Sequence, residues 1–135
     1  MNTVYFMNQI MGNVFHTKEN PAIPTAYYLG LSSTAPTING DGVKEPSVNG
    51  TGYSRVKLSN LSAPNSGAIV NSGAINFAES ITDWGVMTHY VVYDAMSDGN
   101  LLFYGPLSLS RSVEPNTSIV IKSGELYIQL SNIDA

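Results

Sequence analysis

The chain of 135 residues has no cysteine. Without a thiol there is no disulfide framework, no thiolate nucleophile and no Cys-containing zinc site. Charge is scarce: Asp, Glu, Lys and Arg make up 12% of the residues, well under the roughly 25% usual in soluble globular proteins. The formal net charge is −4 and the sequence pI is near 4.9. That balance gives no basic footprint for a phosphate backbone, so nucleic acid is excluded as an expected partner. Long apolar runs are missing as well. Met1 to Phe15 is fairly apolar, but it lacks a basic leading region and is interrupted by Asn8, Gln9, Gly12 and Asn13. It reads as neither a signal peptide nor a membrane span. No other stretch approaches the roughly 18 uninterrupted apolar residues of a transmembrane helix, so no membrane insertion is expected.

Chemistry-bearing constellations are equally thin. The two histidines, His16 and His89, lie far apart in sequence, and neither belongs to an H-E-x-x-H pattern or a comparable metal motif. There is no G-x-S-x-G nucleophile elbow and no phosphate-binding loop, and the G-T-G of residues 50 to 52 precedes a strand pattern instead of a helix. Glu79 and Asp83 are the closest acid pair, in a segment suited to capping a turn. Asn39 and Asp41, and separately Asp94, Asp98 and Asn100, place oxygens near glycines without the spacing of a calcium loop. The sequence therefore predicts no catalytic residues, no cofactor and no metal, and a chain that is not an enzyme.

What is present is enough for one core. Apolar residues are 43% of the chain, which excludes disorder. The length suits a single domain over residues 1–135. Ser, Thr, Asn and Gly fill the intervals between apolar runs, a neutral polar surface that suits an extracellular or particle-bound β protein. Val4, Met7, Met11 and Val14 follow helical spacing, with Phe6 and Ile10 beside the stripe. This predicts a helix over 3–15, capped by Asn2 or Thr3 and prevented from continuing by Pro21 and Pro24. Such a helix either packs on one sheet face or meets a neighbouring subunit.

Thr25 to Ser32 reads as a strand, and 33–52 as a long turn-rich loop. Loops of that length usually bind a partner. In Tyr53 to Leu58 the alternation predicts Val56 and Leu58 facing inward. Short strands follow at Ala68 to Val70 and Ala74 to Phe77. Trp84 to Tyr93 is the strongest strand pattern; the turn Asp98-Gly99-Asn100 and returning strand Leu101 to Leu107 make a central hairpin. Thr117 to Ile121 and Glu125 to Leu130 read as a final pair bent at Ser123 and Gly124. The predicted fold is mostly β: a single-domain antiparallel β-sandwich, or alternatively a small barrel, with a short N-terminal helix. The aromatic residues suit core or subunit packing, or sugar stacking where several are exposed.

YYLGLSSTAPT (27–37), GVKEPSVNGTGYSRVKL (42–58), INF (75–77), DWGVMTHYVVYDA (83–95) and GNLLFYGPLSLSRSV (99–113) occur in order. Together they resemble a family of small phage virion proteins known as tail fibre proteins. The resemblance spans most of the chain. It implies a structural protein of the virion, made in the host cytoplasm, with other phage virion proteins as partners. The same kind of β module serves as fibre, baseplate component or head decoration on the capsid surface, or as a receptor- or glycan-binding tip for a host surface glycan. The accompanying expectation is a symmetric homo-oligomer, with a trimer as one form. Candidate assembly contacts are Phe6, Ile10, Glu45, Pro46, Tyr53 and Arg55. The Glu45-Pro46 step favours an extended backbone that would lie along an adjacent subunit. Candidate structural anchors are Gly30, Trp84, Gly85, His89, Phe103 and Gly105.

Overall fold

The computed structural model describes residues 1–17 and 23–130. Its largest element is a four-stranded antiparallel sheet in the order β2-β1-β5-β6, formed by β1 (Tyr28–Ser32), β2 (Val56–Lys57), β5 (Gly85–Tyr93) and β6 (Leu101–Val113). Branched and aromatic side chains fit this pleated, doubly covered surface. The predicted hairpin is present as β5 and β6. Its turn is closed by Asp94, whose carboxylate accepts the backbone N–H of Asn100 at 2.8 Å and that residue's side-chain amide at 3.0 Å.

Two antiparallel ribbons form a second layer: β3 (Ala68–Val70) with β8 (Tyr127–Gln129), and β4 (Ile75–Asn76) with β7 (Val120–Ile121). The main core lies between the layers. Leu29, Leu31, Met87, Val92 and Val113 come from the sheet; Ile75, Phe77, Ile121 and Ile128 come from the ribbons and their flanks. This is an open two-layer arrangement of antiparallel sheets, and among the described residues no barrel closes. The final strands do not pair with each other as predicted. Each crosses to a strand from the middle of the chain, and buried Asn71 holds the crossing. Its side-chain amide donates to the carbonyls of Gly73 at 2.8 Å and Lys122 at 2.9 Å, while its oxygen accepts the N–H of Leu126 at 3.0 Å.

α1 (Val4–Val14) is capped by Thr3, whose hydroxyl accepts from the Phe6 N–H. The break predicted at Pro21 lies outside the described residues. The face α1 buries differs from the predicted stripe: Phe6, Gln9 and Gly12 face inward, while Met11 and Val14 are exposed. The cause is the segment before the helix. Met1 and Thr3 bond to Tyr104 and Leu102 along the β6 edge, and the Thr3 hydroxyl donates to Leu101 O at 2.7 Å. A helix anchored at its cap has its rotation fixed, which turns Phe6 onto Phe103 with ring centroids 4.9 Å apart.

The long loop also departs from expectation. It folds back over its own sheet: Ile38 and Val43 pack on Val91, Tyr93, Leu101 and Tyr104, on the face opposite the main core. Ser32 fixes it there, its buried hydroxyl accepting from Lys44 N–H at 3.0 Å and donating to Thr34 O at 2.7 Å. Among the described residues no helix is long and apolar enough to cross a membrane.

Candidate functional site

Glu45, Tyr53 and Arg55 meet in one largely buried cluster. The Arg55 guanidinium binds Glu45 through two bonds, Nε to Oε2 at 3.0 Å and Nη2 to Oε1 at 2.7 Å. Paired donors of this kind match a planar carboxylate. Nη1 then donates to Ala95 O and Asp98 O, each at 2.8 Å, in the β5–β6 turn, and the guanidinium carbon stands 3.6 Å from the centre of the Tyr93 ring. The Tyr53 hydroxyl donates to Glu45 Oε2 and accepts the Leu31 N–H at 3.0 Å. Burial, reinforced by the Glu45 charge, pushes the Tyr53 phenol well above its ordinary range. The Tyr53 ring meets the edge of Trp84 at 5.3 Å, and the Trp84 indole donates to Thr51 O at 2.9 Å.

The alternation predicted for this segment is therefore reversed at its start: Tyr53 and Arg55 are buried, and Val56 and Leu58 are half-buried. Ion pairing and a satisfied phenol outweigh the simple apolar pattern. Gly30 makes the arrangement possible, since a Cβ at that position would stand 2.6 Å from Tyr53 Oη and 2.7 Å from Glu45 Oε2. The cluster joins loop 33–52, β1 and the 94–100 turn within one chain. Its donors and acceptors are matched to one another, and they hold no nucleophile beside a base.

The other singled-out residues lie elsewhere. Phe6 is buried against Phe103, Ile10 is half-buried on α1, and Pro46 is half-buried beside Glu45. Gly85 opens β5 at φ 81°, next to Asp83, whose carboxylate accepts the Gly85 N–H at 2.6 Å. His89 pairs across from Ser32 and Pro106, with Nδ1 2.8 Å from the Thr88 hydroxyl oxygen. Gly105 lies opposite Tyr90, where a Cβ would stand 2.8 Å from the ring. Among the described residues no three His, Cys, Asp or Glu side chains gather to hold a metal ion. Asn71 and Ser80, both buried and hydrogen-bonded, were missed by sequence reasoning, because each stands among turn formers that look alike in composition.

α1 presents a different kind of surface. Met11 is 51% exposed, Val14 59% and Phe15 68%, in line with Tyr5 and Asn8 on the outer side of the helix. Residues 1–17 contain no Asp, Glu, Lys or Arg. Apolar side chains gathered on a surface without charge mark a contact region more than a solvated one.

A family model described as Podophage GP4 fiber I protein gp80 matches residues 2–129. A comparison with curated proteins finds no match.

Proposed function

Because this chain belongs to the podophage GP4 fiber I protein family, a phage tail-fibre family, we propose that it is built into the virion by protein–protein contacts and that copies of it meet on the outer face of α1. The uncharged apolar surface of Met11, Val14 and Phe15 carries this reading. In a symmetric contact residue i of one copy meets residue j of the other and j meets i, so a patch with no charge is self-complementary through apolar packing alone. A chain of net charge −4 self-associates most readily where it has none. The Glu45–Arg55 cluster shapes the subunit for this role by fixing loop 33–52 to the sheet, and the exposed stretch around Val48 is left for neighbouring virion proteins.

Light scattering across a concentration series tests the contact. The wild type is expected to form a symmetric homo-oligomer, a trimer or a dimer, with a melting temperature that rises with concentration, and the double variant Met11→Lys/Val14→Glu is expected to stay monomeric and folded, with a cooperative melt that does not depend on concentration. Both positions are exposed, so their substitution leaves the core intact. A wild-type chain that is monomeric at high concentration and fails to co-sediment with particles rejects the proposal. Localisation in an intact-particle map then separates fibre and baseplate positions from capsid decoration.

A further inference from the structure

One exposed aromatic side chain separates two open grooves. Tyr127, the first residue of β8, is 54% exposed. On one side is a groove of about 330 Å³ bordered by His89, Tyr104, Pro106 and Gln129. On the other is a groove of about 450 Å³ bordered by Ser62, Asn65 and Ser66. No Asp, Glu, Lys or Arg lines either one. The groove at the Glu45–Arg55 cluster, by contrast, carries Glu45, Arg55 and Asp98.

The Tyr127 backbone is held from beneath. Its carbonyl accepts the hydroxyl of Tyr90 at 3.0 Å, and Tyr127 pairs with Val70 across the ribbon. Tyr90 itself fits against the backbone of Gly105. The site is therefore supported by both layers of the fold, as a pre-formed binding site requires. The side chains of Tyr127 and Gln129 make no hydrogen bond among the described residues, and both remain exposed.

We propose that the Tyr127 ridge binds a short uncharged oligosaccharide lying across the two grooves. A pyranose ring has an apolar C–H face and a rim of hydroxyl groups. The first suits the electron-rich face of a tyrosine; the second suits amides and hydroxyls such as those of Gln129, Asn65, Ser62 and Ser66. A phosphate or carboxylate ligand would find no Lys or Arg side chain here, and the Met1 amino group at the edge of the first groove is half-buried and already donates to Tyr104 O at 2.9 Å. A proline-rich peptide would need an aromatic-lined channel on both sides of the ridge, and the second groove offers hydroxyls and an amide instead.

The test is an amide-resolved NMR titration of the full chain. The probes are oligosaccharides of neutral hexose, 6-deoxyhexose and N-acetylhexosamine units, with sialylated and uronate oligosaccharides and a polyproline peptide for comparison. A neutral glycan is expected to give saturable shifts at Val70, Tyr127 and Gln129. Tyr127→Ala is expected to weaken binding roughly tenfold or more, while Tyr127→Phe retains most of it. Gln129→Ala, at a second exposed position, is expected to weaken binding as well and keeps the test decisive if Tyr127→Ala does not fold. The proposal is overturned if no neutral glycan shifts these amides, if only charged glycans or polyproline do, or if Tyr127→Ala (Gln129→Ala should the former not fold) binds like the wild type. Repeating the titration on the Met11→Lys/Val14→Glu chain reads this site independently of self-association.

Discussion

Asn71 performs at one position what a strand pairing performs over several. Its amide faces the carbonyls of Gly73, Ile121 and Lys122, and its oxygen takes the Leu126 N–H. A buried donor or acceptor left without its partner costs about 1–3 kcal/mol, and more where a charge is involved. Asn71→Asp preserves the shape while replacing the amide with an acceptor that faces three carbonyls. It is expected to destabilise the fold by about 3 kcal/mol or more, and Asn71→Ala by less, because alanine leaves unpaired groups without adding a buried charge. Urea unfolding followed by the fluorescence of Trp84, the single tryptophan, measures both. If the aspartate variant unfolds at the wild-type midpoint, the crossing of the ribbons is held by core packing alone. Nothing in the local sequence distinguishes this asparagine from the neighbouring turn formers, since its partners other than Gly73 lie some fifty residues further along the chain.

At the scale of elements, local pattern carried what local physics determines. The period-two run of β5, the Asp-Gly-Asn turn and the capped helical spacing of α1 are all legible, because each is satisfied by neighbours in sequence. Helix rotation was not legible, because it is set by Thr3 bonding to Leu101 and Leu102 on β6. Partner choice in the ribbons and the covering role of loop 33–52 are long-range for the same reason. Glu45, Tyr53 and Arg55 stood among six candidate assembly contacts, yet their bonds to one another and to the 94–100 turn emerge only when loop, strand and hairpin are assembled. That cluster yields an element-level prediction. The Arg55 and Glu45 side chains are 7% and 17% exposed, and stranding one buried partner of an ion pair costs about 3–5 kcal/mol. Arg55→Ala is expected to fall in that range and to free the 94–100 turn for faster amide hydrogen exchange. The double change Glu45→Leu/Arg55→Met is expected to cost less than the sum of the two single changes, because no charge is stranded. An additive result would show that the two side chains stabilise the loop separately.

For the whole molecule, the buried tyrosines set an alkaline limit on stability. Burial raises the phenols of Tyr27, Tyr53, Tyr90, Tyr93 and Tyr104 above the ordinary value of 10.0, and Tyr90 is pushed up to about 12. They stand on both faces of the sheet and in both core clusters, so their ionisation is coupled to global unfolding. The raised folded-state value means that the fold favours the protonated form. Above pH 10 the unfolded chain holds fewer protons than the native one, and stability falls as pH rises. Below pH 10 the contribution is fully present, and for Tyr90 it is lost between pH 10 and about 12. Tyr90 gives a slope of about −1.4 kcal/mol per pH unit in that window, which amounts to about 3 kcal/mol across it. Urea midpoints are therefore expected to be insensitive to these groups from pH 7 to 9.5 and to fall steeply above pH 10. Tyr90→Phe lacks the ionisable hydroxyl and also the bond to Tyr127 O. It should start from a lower stability at neutral pH and decline with a shallower alkaline slope. A wild-type midpoint that stays constant to pH 11.5 would mean that these phenols ionise equally well in the folded chain, contrary to their burial on the two faces of the sheet.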